Sequence, residues 1–212
     1  MPIRAVMFDI GGILEVIPEG GDPATRFPAL DEEWNTRLGL PPGHLTRCFE
    51  PIAEDGAFGR CTYEEWCARL RACTGMSQAD FGEYMAAFWD IYMGNSNEEL
   101  IAYFRGLRPR YRTAILTNSF VGAREHEEAR YGFSSMTDLA IYSHEEGVRK
   151  PDPRIFALAS ERLGIVPAEI VYLDDVLANV DAARACGFQA VHFTSTPQAI
   201  ADIEALLRGA DV

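Results

Sequence analysis

The chain has 212 residues, 48% of them hydrophobic, which suffices for one large domain or a core domain with a modest insert. Lys and Arg number 19 against 32 Asp and Glu, a formal net charge of −13, so nucleic acid and anionic membranes would be repelled and neither is expected as a partner. No apolar run approaches the roughly 20 residues of a membrane span, and the N-terminus enters a strand with no signal-type segment, so a cytoplasmic location is the expectation.

In chain order, the first element is the apolar run Ala5-Val6-Met7-Phe8, which ends at Asp9 and is followed closely by Gly11 and Gly12. Without polar alternation it reads as a buried parallel strand. Asp9 then stands at its carboxyl end, where open α/β sheets place their ligand crevice. Residues 15–28 carry several glycines, prolines and charges and read as a loop. Helical patterns follow. Phe27, Leu30, Trp34 and Leu38 fall near helical spacing, Thr62-x-x-Glu65 is a capping box ahead of Trp66 and Leu70, and Ser77 caps a segment with Phe81, Tyr84, Phe88 and Tyr92 on one face. This aromatic density predicts the small core of a helical bundle.

From Ser96 the rhythm becomes α/β. Ser96-x-x-Glu99 reads as a second capping box, and strands are predicted at Thr113–Leu116, Leu139–Ile141, Ile170–Leu173 and Ala190–Phe193. Helical patterns alternate with them, including one that Asp152-Pro153 would cap. The expected fold is therefore α/β, a doubly wound parallel sheet formed by residues 1–14 and 96–212, with residues 15–95 inserted as a helical unit after the first strand. Five cysteines, an odd number with no C-x-x-C spacing, suggest neither a disulfide framework nor a zinc site, and buried thiols in a reducing compartment are expected.

Four short clusters follow predicted strand ends: Asp9, Thr117-Asn118-Ser119, Lys150-Pro151 and Asp174-Asp175. Singly, each has a plain explanation as a helix cap or a solvated turn. In a parallel sheet all four ends face one side, so three carboxylates, a lysine and a hydroxyl converge on one crevice. Close carboxylates repel one another unless a cation lies among them, and oxygen ligands suit Mg²⁺. A phosphate could bridge that ion and Lys150, and an aspartate beside such a phosphate is a competent nucleophile. Of the histidines, His44 and His126 could approach the crevice, and His144 is the one placed to act as a substitute acid.

In the order and spacing of these four motifs the chain resembles the haloacid dehalogenase-like (HAD) hydrolases. The resemblance implies a Rossmann-like core with an inserted helical cap over residues 15–95. It makes Asp9 the nucleophile, Thr117 and the Asn118 backbone the phosphoryl-binding groups, and Lys150 the cation that neutralises nucleophile and phosphate. It implies Mg²⁺ as cofactor, held by Asp9, the Gly11 carbonyl and Asp175 directly and assisted by Asp174 through water. The implied substrate is a small phosphorylated metabolite. The family's phosphatases usually carry a second aspartate two residues after the nucleophile as general acid and base, whereas this chain has Gly11. That difference leaves two alternatives open, a 2-haloacid dehalogenase-type hydrolase and a catalytically weak binding module. The Asp174-Asp175 pair weighs against the dehalogenase.

Overall fold

A computed structural model describes residues 2–16 and 23–209. Its elements in chain order are β1 (Ala5–Phe8), β2 (Glu15–Val16), α1 (Pro23–Leu38), α2 (His44–Ala57), α3 (Tyr63–Thr74), α4 (Gln78–Met93), β3 (Asn95–Ser96), α5 (Glu98–Gly106), β4 (Arg112–Thr117) and α6 (Ala123–Tyr131). Then follow β5 (Leu139–Tyr142), α7 (Ser143–Glu146), α8 (Pro153–Leu163), β6 (Ile170–Asp174), α9 (Leu177–Ala185), β7 (Gln189–His192) and α10 (Thr196–Gly209).

Five strands form one sheet in the order β5-β4-β1-β6-β7, with every pairing parallel. The chain winds one way from β1 to β5 and the other way from β6 to β7, so the connections part at β1 and open a crevice at its carboxyl end. Successive side chains point to opposite faces. Val6 and Phe8 therefore enter one core cluster, and Ala5 and Met7 the other, where α8 and α9 contribute Ile155, Phe156 and Val180. The first cluster runs without a break from the sheet into the helical segment, through Ile10, Ile13 and Leu14 to Trp66 and Phe88. Burying a side chain of this size stabilises by about 1.5–3 kcal/mol, so the two parts share one apolar core.

The predicted loop over residues 15–28 is corrected in two places. Glu15–Val16 pairs antiparallel with Asn95–Ser96, so the two linkers between sheet and helices run side by side. Helix α1 begins at Pro23, and residues 17–22 lie outside the described residues. The second capping box is also corrected. Asn97, not Ser96, is the N-cap of α5, its Oδ1 accepting from the Leu100 N–H, because Ser96 is held in β3. The same Asn97 donates from Nδ2 to the Ile13 carbonyl and to Thr196 Oγ1, tying both linkers to the sheet. The caps at Thr62, Ser77 and Asp152 form as the sequence predicts.

The cysteine expectation is overturned at one pair. Cys48 on α2 and Cys73 near the end of α3 form a disulfide, their Cα atoms 5.6 Å apart and 25 positions apart in sequence. Nothing in the spacing announces it, because α2 itself, with Pro51 inside it, has no clear sequence signal. The bridge removes the support that the cysteine count lent to a reducing compartment. Cys61, Cys67 and Cys186 remain free thiols. Among the described residues, no helix is long and apolar enough to cross a membrane.

Candidate active site

Strand β1 delivers Asp9 to the crevice, where its backbone N–H donates to the Leu173 carbonyl at 3.0 Å and its Oδ1 accepts from the Ile10 N–H at 2.8 Å. Its Oδ2 is 2.9 Å from Lys150 Nζ. The ammonium is buried and also donates to Asp174 Oδ2 at 2.8 Å and to the Leu116 carbonyl at 3.0 Å. All three of its protons are therefore bonded to the protein. Asn118 secures the lysine from behind. Its Oδ1 accepts from the Lys150 N–H and its Nδ2 donates to the Lys150 carbonyl.

Asp174 is the hub of this network. Besides Lys150, it accepts from the Tyr172 hydroxyl, from Asn179 Nδ2 and from the Val176 N–H. A carboxylate offers about four lone-pair sites, and these donors fill them. Asp175 differs. It is exposed at the crevice rim, with its carboxylate pressed over Gly12. A Cβ on Gly12 would fall 2.2 Å from Asp175 Oδ2, and Gly12 has φ +74°, so a side chain here would expel Asp175. Gly11 lacks both constraints, having open space where a Cβ would stand.

Asp9, Asp174 and Asp175 each present an oxygen within 4.8 Å of the others. Burial pushes the Asp9 carboxyl up to about 6 although Lys150 pulls it down, and partial burial beside Asp174 raises Asp175 as well. Asp9, Gly11, Asn118 and Asp175 line a single cavity of about 270 Å³. Thr117 is buried at the end of β4, its hydroxyl making one long contact of 3.5 Å with the Asn118 carbonyl. The strand ends thus bring Asp9, Asn118, Lys150, Asp174 and Asp175 together, whereas Ser119 turns to His144 and the larger neighbouring cavity.

The three histidines weighed from the sequence do not line the Asp9 cavity, whereas His192 Nε2 is 2.9 Å from the Asp175 carbonyl oxygen. His44 packs between Cys48 and the Cys73 carbonyl, and His126 stacks on Trp89 with ring centroids 3.8 Å apart. His144 Nδ1 is 2.8 Å from Ser119 Oγ, burial lowers its pKa, and it does not line the Asp9 cavity.

Two acids were missed. Glu15, 4% exposed, lines the Asp9 cavity, and burial together with the nearby Glu127 pushes its carboxyl up to about 10. Glu127 on α6 is raised to about 8, chiefly by burial and against the pull of its bond to Tyr142. Neither Glu15 Oε1 nor Glu127 Oε2 has a hydrogen-bond partner among the described residues. A run such as Leu14-Glu15-Val16 carries no mark of burial for its acid. Only the apolar residues at both sides of Glu15 could have hinted at it.

A raised carboxyl pKa binds more protons in the folded state than in the unfolded one, so stability falls as pH climbs from about 4.5 toward 8. Glu127→Gln cannot ionise and escapes this loss. Thermal melts are expected to show the variant gaining on the wild type between pH 5 and pH 8, with a limiting slope of about 1.4 kcal/mol per pH unit for one group. A difference in melting temperature that stays constant with pH would contradict the assignment of Glu127 as a neutral buried acid.

A family model described as a haloacid dehalogenase-like hydrolase matches residues 73–187. The mouse protein acyl-CoA dehydrogenase family member 10 is 27% identical over 217 residues, covering 96% of this chain but only 19% of its own length, so this chain spans about a fifth of that relative. D-ribitol-5-phosphate phosphatase of Bacteroides thetaiotaomicron is 22% identical over 193 residues, 88% of this chain and 90% of that protein. Among solved structures, a HAD-family enzyme of the same bacterium superposes with a TM-score of 0.72 at 20% identity, covering 92% of this chain and 96% of that one. The same enzyme in complex with magnesium and inorganic phosphate gives 0.70.

Proposed function

The chain belongs to the haloacid dehalogenase-like hydrolases, and on that premise we propose that it is a Mg²⁺-dependent phosphomonoester hydrolase that works through an aspartyl-phosphate at Asp9. The observation that carries this reading is the buried Asp9–Lys150–Asp174 chain beside the exposed carboxylate of Asp175. A lysine locked between two acids keeps Asp9 ionised in a site whose burial favours the neutral form, and an ionised carboxylate is what nucleophilic attack needs. The relatives with phosphatase names support the reaction class, and the net charge of −13 agrees with a small substrate and not a nucleic acid.

Asp9 forms a bond from a carboxylate oxygen to phosphorus while the bond from phosphorus to the alcohol oxygen breaks, and the departing oxygen takes a proton. Water then attacks the phosphorus, releasing inorganic phosphate and restoring the carboxylate. Lys150 contributes charge to this site more than hydrogen bonds, since its three donors are already occupied. Thr117 and the Asn118 N–H are the groups we assign to the phosphoryl oxygens.

The oxygen-only donor set fits Mg²⁺. Asp9, Asp175 and the Gly11 carbonyl are the groups that would hold it, and Asp174, with its lone pairs used, serves to hold Lys150 and stands behind them. Bound there, the ion would offset the charge of the phosphate as it approaches Asp9. The helices of residues 15–95 we read as a cap that covers the crevice, hinged at the paired linkers. The test is phosphate release from a panel of esters with Mg²⁺ or EDTA, beside chloride release from 2-chloropropionate. Phosphate release that EDTA abolishes is expected. Chloride release alone would mean a dehalogenase, and no release of either would mean a binding module.

Gly11 governs leaving-group protonation in this reading. Because a Cβ at Gly11 meets nothing and its φ is not positive, Gly11→Asp should fold without strain. It is expected to raise turnover of alkyl phosphates more than that of p-nitrophenyl phosphate, by up to about the 10²–10⁴-fold that general acid catalysis contributes. Rates that do not vary with leaving-group pKa in the wild type would contradict this. They would point to another proton donor in the cavity, of which Glu15 is the carboxyl best placed.

A further inference from the structure

Next to the Asp9 cavity lies a second and larger one of about 460 Å³. Asn118 and Tyr92 line both, so the two adjoin at the crevice. Its walls come from two sides. The helical segment supplies Phe27, Phe49, Trp66 and Phe88, and the loop after β4 supplies Phe120. These rings pack edge to face and tilted against one another, with Trp66 and Phe120 centroids 5.6 Å apart and Phe49 and Trp66 5.4 Å apart, so the wall is rigid as well as apolar.

The polar groups on that wall are few and mostly committed. Ser119 Oγ is bonded to His144, and the Asn118 side chain to Lys150. Thr46 Oγ1 donates to Asp31 Oδ2 at 2.9 Å, and the Tyr84 hydroxyl donates to Asp31 Oδ1 at 2.8 Å. The two donors fix the Asp31 carboxylate in place while leaving each oxygen able to accept once more. Asp31 lines the aromatic cavity and not the Asp9 cavity. The exposed Arg149 completes the lining.

We infer that this cavity receives the alcohol portion of the phosphate ester, and that this alcohol is an apolar, ring-bearing group with one hydrogen-bond donor that meets Asp31. The inference rests on the phosphatase reading and adds the substrate class. A polyol or sugar would bring several hydroxyls against aromatic faces that cannot pair with them, and each unpaired buried group is costly. A flat apolar ring instead stacks on or abuts these faces, and an ammonium or hydroxyl at its far end finds a preset acceptor. A substrate bearing a carboxylate there would be repelled by Asp31.

Three esters separate these cases: O-phosphotyramine, 4-ethylphenyl phosphate and ribitol 5-phosphate. Steady-state kinetics with Mg²⁺ should rank kcat/KM of the first above the second, whose leaving groups are alike, and ribitol 5-phosphate, an alkyl ester, is ranked below both by binding. The first two differ only in the donor, and a charge-assisted hydrogen bond sets their ratio at about 10–100-fold. Asp31→Asn keeps the shape and the acceptor for Tyr84, so it should fold, and it should shrink that ratio toward one. Calorimetric titration of the same three esters into Asp9→Asn reads the preference without turnover. If p-nitrophenyl phosphate and all three esters resist hydrolysis yet the titration keeps the ranking, the phosphatase reading fails and the assignment of the cavity stands. Ribitol 5-phosphate bound or hydrolysed as well as the aromatic esters would overturn the inference, and so would a ratio that Asp31→Asn leaves unchanged.

Discussion

Asp9→Asn should lower phosphate release from p-nitrophenyl phosphate by about 10⁴–10⁶-fold, the scale on which loss of a covalent nucleophile acts. The amide has nearly the shape of the carboxylate, and its oxygen can still accept from the Ile10 N–H that now bonds Asp9 Oδ1. Lys150 keeps Asp174 and the Leu116 carbonyl as partners. The fold should therefore survive, with circular dichroism and melting close to those of the wild type. An amide nitrogen cannot make the acyl-phosphate by the same attack, so no residual turnover is expected through this route. Wild-type rates in the variant would make the assignment of Asp9 wrong.

The second large effect is on stability. Lys150 is 2% exposed and stands between Asp9 and Asp174, both buried. Lys150→Met has similar bulk and removes the one cation that these two carboxylates share. An uncompensated buried charge destabilises by about 3–5 kcal/mol, far more than the pair itself contributes. Burial already pushes the Asp9 carboxyl up to about 6 against the pull of the lysine, and without Lys150 it must climb further. A carboxyl raised in the folded state loses stability as pH rises through its range. Urea denaturation should thus show the deficit of Lys150→Met at its largest near pH 7 and smaller near pH 5, where the carboxylates can take up protons. A deficit independent of pH would mean that packing, and not charge, is what Lys150 supplies.

Much of this was legible in the sequence. The run from Ala5 to Asp9 is apolar without alternation, and such a run has few options besides a buried parallel strand. The four polar clusters were visible because each interrupts an apolar strand at its end. The alternation after Ser96 then determined that they share one end of the sheet, that of the strands' carboxyl termini. What stayed hidden depends on distance in space and not in sequence. Tyr172 reads as one more core residue of β6, yet its hydroxyl bonds Asp174. Asp31 reads as a surface acid on α1 until Tyr84, 53 positions on, reaches it. Glu15 looks like the start of a loop because its burial is made by β3 and α6, which arrive much later in the chain. The Cys48–Cys73 bridge needs the packing of α2 on α3, and α2 itself left no clear pattern.

The central claim is the covalent intermediate, and trapping it is the most direct test. Enzyme mixed with Mg²⁺ and a phosphate ester, quenched in acid during turnover, should carry a phosphoryl group that hydroxylamine removes. Mass spectrometry of the digested protein should place that group on Asp9, and Asp9→Asn should show none. Phosphate released in step with turnover, with no phosphoryl group on the wild-type protein or with one on a residue other than Asp9, would contradict the account.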